Sequence, residues 1–198
     1  ENIMPLGANK AAIMGVAGVS TADVVLLYDT DHSNVASASI TSDITSTYGE
    51  YIFKFYNINL VDDAYIFQFN MSTDGGSNYN VNKTTTFFKA RHYEDDHLAT
   101  LSYKTGYDEA NSTAYQDLGY NVGAAADESL VGELHIFNPA STTYVKQFYA
   151  TTNWSESTSG SFNAYVAGYF NTTSACNAIS FQATSGNFDG TIKMWGVK

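Results

Sequence analysis

The stretch from Tyr51 to Tyr79 constrains the fold more than any other part of this sequence. Apolar and polar side chains alternate in two runs, residues 51–60 and 65–71, and a short acidic segment separates them. Because side chains alternate sides along a β-strand, this period of two predicts two strands with one aromatic face each. The short spacer predicts that they pair as a hairpin. The side chains predicted to be buried are Tyr51, Phe53, Phe55, Tyr65, Phe67, Phe69 and Met71.

A second turn is predicted after these strands, because the adjacent residues Gly75 and Gly76 can adopt the positive φ angles that a tight turn requires. The pattern Ser72-x-Asp74-x-Gly76-x-x-Tyr79 resembles the Asp-box turn of sialidases, which lies outside their catalytic centre. A sialidase also needs repeated boxes and several arginines that hold a substrate carboxylate. This chain has one box and a single arginine, Arg91, so we predict a structural turn.

Composition extends the β prediction to the whole chain of 198 residues. Aromatic and charged residues each make up 15%, and no apolar period of 3.6 residues lasts for the length of a helix. We therefore predict an all-β fold, a jelly-roll-like β-sandwich of about ten short antiparallel strands. Further strands are predicted at 24–28, 99–103, 132–137, 144–151, 162–170, 178–183 and 191–195. Residues 35–47 suggest another strand or an extended crossing, and residues 79–93 suggest one long strand or a broken pair.

The predicted organisation is one domain with an N-terminal extension. Residues 1–22 are small and interrupted by glycines, which suggests an N-terminal arm or first edge segment that packs on a neighbour. Residues 23–198 form the β-sandwich domain. Within it, residues 29–34 look like a turn, and residues 104–130 look like a long irregular loop that binds a partner or covers a sheet edge.

Charge and cysteine content exclude several classes of function. The net charge of −11 disfavours binding to nucleic acid, and no polybasic cluster or run of about 20 apolar residues indicates membrane insertion. The single cysteine, Cys176, excludes an internal disulfide framework and is predicted to be a small core residue. It suits assembly in a reducing host cytoplasm. No cofactor is predicted.

Two polar clusters contain residue types that bind metal ions. His92, Glu94 and His97 lie within six residues, and Asp29 and Asp31 are two residues apart. The second pair lacks the following glycine and distal glutamate of a calcium loop. We interpret both clusters as solvated polar segments, which leaves metal binding as the alternative.

No catalytic motif is present. The sequence has no Gly-x-Ser-x-Gly elbow, P-loop or dinucleotide fingerprint. His135 lies in an apolar strand, where a structural histidine is expected. Paired carboxylates for glycoside cleavage cannot be chosen from the sequence. We expect a protein that is not an enzyme.

Aromatic residues outside the predicted strands are the candidate contact residues. Tyrosine and tryptophan are favoured at interfaces and against sugar rings when they are exposed. The alternative interpretation of these residues is core filling or subunit contact. The candidates for partner or receptor contact are Tyr107, Tyr115, Tyr120 and Trp154.

Five phrases carry a resemblance that covers nearly the whole chain. They are MPLGANKAAIMGVAG, DITSTYGEYIFKFYNI, FQFNMSTDGGSNYN, GELHIFNPASTTYVKQFYATT and YVAGYFNTTSACNAISFQATSGNFDGTIKMWGVK. On these phrases the chain resembles a group of virion proteins of aquatic tailed phages, which are described as tail-fibre, head-fibre or structural proteins. Residues 124–127 and 153–162 depart from the pattern. The resemblance implies a jelly-roll-like β-sandwich in a trimer or another multimer, and it supplies no catalytic residues.

The expected function is that of a virion structural protein on the particle surface, either a capsid decoration or a fibre-like component. It would assemble through arm and sheet contacts, with other virion proteins and with copies of itself in a homotrimer or higher oligomer. One alternative is a receptor-binding module that recognises a host surface glycan. Another is a depolymerase that cuts such a glycan.

Overall fold

A computed structural model describes residues 23–198, and its regular elements within that range are all β-strands. The predicted all-β sandwich of antiparallel strands is confirmed, with twelve strands instead of about ten and several of ten to twelve residues. The arm predicted for residues 1–22 lies outside the described residues. The strands are β1 (Val24–Val35), β2 (Ser37–Ile40), β3 (Glu50–Leu60), β4 (Tyr65–Ser72), β5 (Lys83–Tyr93), β6 (Ala99–Tyr103), β7 (Gln116–Val122), β8 (Leu130–Phe137), β9 (Lys146–Glu156), β10 (Gly160–Phe170), β11 (Ala178–Ala183) and β12 (Phe188–Val197).

Eight of the strands form a jelly roll. They make two sheets of four, in the orders β1-β12-β3-β8 and β2-β11-β4-β7, and every pair is antiparallel. Counted one to eight along the chain, these orders are 1-8-3-6 and 2-7-4-5, the winding of a double-sheet jelly roll. The two sheets face each other across one aromatic core.

Two inserted hairpins widen one sheet. The hairpin β5–β6 is inserted between β4 and β7, and the hairpin β9–β10 is inserted between β8 and β11. They extend the first sheet in the order β8-β9-β10-β5-β6, which gives it eight strands against four in the other sheet. A single residue pair between β7 and β9, Val122 with Glu156, joins the two sheets at one side.

The predicted hairpin of β3 and β4 is wrong, although the predicted aromatic faces are largely correct. β3 pairs with β12 and β8, whereas β4 pairs with β11 and β7 in the opposite sheet. The two aromatic faces meet across the core, where Phe55 and Phe67 lie edge to face with ring centroids 5.5 Å apart. A period of two determines which side is buried but leaves the pairing partner open. Of the seven predicted residues only Tyr65 is exposed.

The core is built from aromatic rings, with Phe181 of β11 at its centre. Its ring lies 5.6 Å from that of Phe53 and 5.3 Å from that of Phe55, in tilted and edge-to-face geometry. Each such aromatic pair stabilises the fold by roughly 0.5–1.5 kcal/mol beyond its burial. Cys176 lies buried just before β11, where burial raises the pKa of its thiol to about 11. The predicted core position of this cysteine is therefore confirmed.

The turn predicted at residues 29–34 is wrong, because β1 continues through it to Val35. β1 is an edge strand, so its polar side chains reach solvent or the neighbouring strand. Asp29 accepts a hydrogen bond from Lys193 at 2.9 Å, and Asp31 accepts one from the Thr191 hydroxyl at 2.5 Å. Each of the two carboxylates is thus engaged with a side chain of β12.

The irregular loop predicted at residues 104–130 contains the whole of β7. β7 was missed because it begins with two polar residues, Gln116 and Asp117. Both are buried beside specific hydrogen-bond partners. Thr85 donates its hydroxyl to the Gln116 side chain at 2.6 Å, and Gln68 donates its amide to Asp117 at 2.7 Å. A buried polar side chain is tolerated where such a partner exists.

Candidate functional site

Three of the four predicted contact residues meet inside the protein. Tyr107 stacks on Tyr120 with ring centroids 4.0 Å apart, and Tyr120 lies 5.8 Å from Trp154. Tyr120 belongs to β7 and Trp154 to β9, with 4% and 1% of their surfaces exposed. Their predicted place outside the strands is wrong, since both rings fill the core. The alternative of core filling holds for these two residues.

Tyr115 lies apart from this cluster, half-buried in the segment before β7. Burial raises the pKa of Tyr115, and a hydrogen bond with Ser180 of β11 opposes this effect. Tyr107 is also half-buried. A partner contact for these two residues stays a prediction.

The aromatic cluster already holds a cation of the chain itself. The Lys89 ammonium lies 4.0 Å from the ring centroid of Phe162 and 4.4 Å from that of Tyr120. Burial lowers the pKa of Lys89 to about 8, and the positive charges of Arg91 and Lys104 act in the same direction. A buried ammonium against two rings is stabilised by cation–π attraction. The cluster is thus an occupied part of the core.

The histidine-rich segment after β5 pairs internally. His92 lies 2.8 Å from Asp96 through Nε2 and the carboxylate, and the imidazole of His97 contacts the carboxylate of Asp95. Glu94 forms none of these pairs. In the part of the chain that the structure describes, no group of three or more histidine, cysteine or acidic side chains could hold a metal ion.

His135 is fixed by two neighbours on the outer face of the eight-stranded sheet. Its Nδ1 atom lies 2.6 Å from the Glu50 carboxylate, and its ring stacks on Tyr149 with centroids 4.6 Å apart. This arrangement agrees with the structural role expected for His135.

The outer face of the eight-stranded sheet carries a concentration of exposed rings. The strand registers and the alternation of side chains place nearly all exposed large apolar side chains of the described residues on this face. Only Val61, Tyr65 and Tyr144 lie elsewhere. Five of the exposed rings form what we call the aromatic patch: Phe88, Tyr103, Tyr149, Tyr165 and Tyr169.

The aromatic patch lies entirely on the two inserted hairpins. Phe88 of β5 is opposite Tyr103 of β6 and opposite Tyr165 of β10. The rings of Phe88 and Tyr165 stack with centroids 5.1 Å apart and planes 15° from parallel. Their exposed fractions are 40% and 41%, so each ring still presents much of its surface to solvent. The stacking fixes two flat, adjacent apolar surfaces.

Charged side chains on the same face are arranged in pairs. Glu133 lies 3.4 Å from Lys54, and Lys193 lies 2.9 Å from Asp29. These four charged residues continue one row across the sheet that begins with Tyr103 of β6, Phe88 and Tyr165 and ends with Asp29 of β1. Both lysines of this face are thus paired with carboxylates, and Asp31 and Glu50 are further carboxylates on it.

Sequence reasoning missed the aromatic patch because its residues lie within strands. A signal was present in the sequence. Tyr149 and Tyr165 directly adjoin core residues, Phe148 and Val166, so both faces of these strands are apolar. A strand that is apolar on both faces either lies between two layers or presents one face to a partner.

A groove opens beside the aromatic patch, toward the other end of the same strands. Its larger part has a volume of about 730 Å³, and a shallower part of about 380 Å³ adjoins it, because both are lined by Val131 and Asn153. We call it the end groove. The residues that matter for its chemistry are Tyr56, Glu94, Asp127, Ser129, Val131, Asn153, Ser155, Ser161 and Asn163.

Comparison with known proteins adds no relative to these observations: no family model, curated protein or solved structure matches the chain. Residues 23–198 contain no helix that is long and apolar enough to cross a membrane.

Proposed function

We propose that this chain is a non-enzymatic structural protein of a virus particle and that it assembles with copies of itself through the aromatic patch. The observation that carries the proposal is the group of exposed rings on the two inserted hairpins. The five sequence phrases that resemble virion proteins of tailed phages support the place on a particle surface, as a capsid decoration or fibre-like component.

The composition of the patch favours a protein interface. Tyrosine and phenylalanine are enriched at the centres of interfaces, whereas lysine and glutamate are depleted there. Phe88, Tyr149 and Tyr165 are each at least 40% exposed, and the patch contains no charged residue. A group of exposed rings of this kind often marks an interaction site.

A second copy of this chain is the occupant that the charge distribution favours. Two chains of net charge −11 repel each other across most of their surfaces. On the outer face, both lysines are paired with carboxylates, Lys54 with Glu133 and Lys193 with Asp29, and the aromatic patch itself carries no charge. Two copies that approach through the patch therefore meet less repulsion than they would through the acidic remainder of the surface.

The size of the face is sufficient for a stable contact. Eight strands at about 4.8 Å spacing, with lengths of about ten residues, make the sheet roughly 34 Å wide and 33 Å long. This exceeds the area of about 800 Å² that each partner contributes to a standard interface.

The aromatic patch lies on strands that are not part of the jelly roll. The eight-stranded jelly roll is complete without β5, β6, β9 and β10, and these four strands carry all five rings of the patch. Function is commonly added to a fold by such local elaboration. We therefore assign assembly to the hairpins and scaffolding to the jelly roll.

The test has two parts. Antibodies against the chain should label purified phage particles whose genome encodes it, and the full chain should sediment as a multiple of 21.5 kDa at micromolar concentration. Unlabelled particles whose proteins lack this chain by mass spectrometry would refute the virion role. A monomer at every concentration would refute self-assembly through the patch.

A further inference from the structure

The end groove offers hydrogen-bond acceptors that the protein itself does not use. Among the described residues, no hydrogen bond occupies the carboxylates of Glu94 and Asp127 or the hydroxyls of Ser129 and Ser155. Glu94 and Asp127 are both exposed at the opening of the groove. Neither lysine nor arginine lines the larger part.

Two asparagines on the floor of the groove are held in fixed orientations. Asn153 of β9 and Asn163 of β10 are opposite each other in the strand register. Asn153 donates its amide to the Phe162 carbonyl at 2.8 Å, and Asn163 donates to the Thr152 carbonyl at 2.7 Å. Because the NH₂ group of each side chain is engaged, its carbonyl oxygen remains free to accept from a ligand.

The groove also has an apolar side. Tyr56 and Val131 line it with exposed fractions of 41% and 39%. The two adjoining parts have volumes within the range of about 300–1,000 Å³ that is typical of ligand sites. A ligand that fits must therefore donate many hydrogen bonds and present one apolar surface.

We propose that the end groove binds a neutral oligosaccharide. The hydroxyl groups of the sugar donate to Asn153, Asn163 and the two carboxylates, and the apolar face of a sugar ring packs on Tyr56. Anionic sugars and phosphates are disfavoured, because the exposed carboxylates of Glu94 and Asp127 repel them and no lysine or arginine lines the larger part; Lys54, in the shallower part, is already paired with Glu133.

This inference is independent of the proposed self-assembly. The larger part of the groove lies on the rows of Asn153 and Ser161, whereas the aromatic patch lies on the rows of Tyr149, Tyr165 and Tyr169. The shallower part reaches the row of Tyr165 through Thr151, so the two sites adjoin, but glycan affinity and oligomeric state are measured separately and with different variants. Failure of glycan binding would therefore leave the oligomer standing, and the reverse also holds.

The test is binding of the full chain to an array of neutral glycans with uronate and sialylated glycans as comparators. Affinity for the best neutral glycan is then measured by titration for the wild type and three variants. Glu94→Ala and Asp127→Ala each remove an exposed acceptor, and we expect each to weaken binding by about tenfold or more, because a hydrogen bond to a charged group is lost. Asp62→Ala is the control, because Asp62 is exposed and lies outside the groove.

Each outcome decides the proposal. Binding to neutral glycans that falls in the two groove variants and is unchanged in the Asp62 variant supports it. Binding to none of the neutral glycans, tighter binding to anionic glycans, or equal affinity in all three variants would overturn it. Circular dichroism of each variant confirms that the β-sandwich is retained.

Discussion

Replacing Phe88 by threonine should dissociate the assembly while leaving the sandwich folded. Threonine suits a strand and matches the neighbouring Thr86 and Thr84 on the same face of β5. Within one chain the change removes the stack on Tyr165, about 0.5–1.5 kcal/mol, and part of the burial of a ring that is 40% exposed, so the folding cost is about 2–4 kcal/mol. That cost is below the 5–15 kcal/mol by which domains are commonly stable.

The effect on assembly follows from the exposed area of the ring. Phe88 is 40% exposed, so about 80 Å² of a side chain of roughly 200 Å² remains for a partner to cover. At about 25 cal/mol per Å², covering it contributes about 2 kcal/mol for each copy. Loss of this amount from one copy raises the dissociation constant by about 30-fold, and a contact between two substituted patches should lose at least that much.

Sedimentation velocity over a range of concentrations measures this shift. The matched control is Tyr144→Thr, which removes a ring that is 71% exposed but lies outside the aromatic patch. We expect the control to assemble like the wild type. An unchanged dissociation constant for Phe88→Thr, or an equal loss in both variants, would refute the assignment of assembly to the patch.

Three further predictions concern the free energy of unfolding, which chemical denaturation measures. Burial raises the pKa of Asp117 to about 6 from 3.8, so the free energy of unfolding of the wild type should fall as pH rises from 4 to 6. Asp117→Asn should remove this fall and add up to about 3 kcal/mol at pH 7, and parallel pH profiles of variant and wild type would contradict the prediction. Burial lowers the pKa of Lys89 to about 8 from 10.5, so the Lys89→Met variant should be more stable than the wild type by roughly 2 kcal/mol at pH 7, and the difference should shrink as pH rises above 8. A difference that stays constant with pH would show that the charge of Lys89 does not destabilise the folded protein. The buried Ser72 hydroxyl accepts hydrogen bonds from the backbone amides of Asp74 and Gly76, so Ser72→Ala should lower the free energy of unfolding by about 1–3 kcal/mol. Ser77→Ala, at the exposed end of the turn, should lower it little, and equal losses in the two variants would contradict a stabilising role of the Ser72 hydrogen bonds.

The fold class was predictable because burial leaves a local signal. The alternation in residues 51–60 and 65–71 identified the buried faces of β3 and β4, and the paired glycines identified a turn in which Gly75 and Gly76 have φ angles of 74° and 91°. Strand pairing leaves no comparable signal. β3 pairs with β12, more than a hundred residues away, so a short spacer could not reveal that the chain crosses between sheets.

The candidate site was not predictable by the criterion that selected the four aromatic residues. That criterion looked for rings outside strands, and it selected Tyr120 and Trp154, which fill the core between β7 and β9. The exposed rings lie within strands, where a single sequence does not tell which face is covered. Only the register of β5, β10 and β9 brings Phe88, Tyr165 and Tyr149 to one surface.

Hydroxyl-radical footprinting of the full chain at high and low concentration tests directly whether the outer face of the eight-stranded sheet is the assembly surface. Assembly should protect Tyr149 and Tyr165 at high concentration and leave Tyr144 equally reactive under both conditions. If Tyr149 and Tyr165 oxidise at the same rate in the oligomer as in the dilute chain, the copies associate through another surface, and the aromatic patch is not the assembly site.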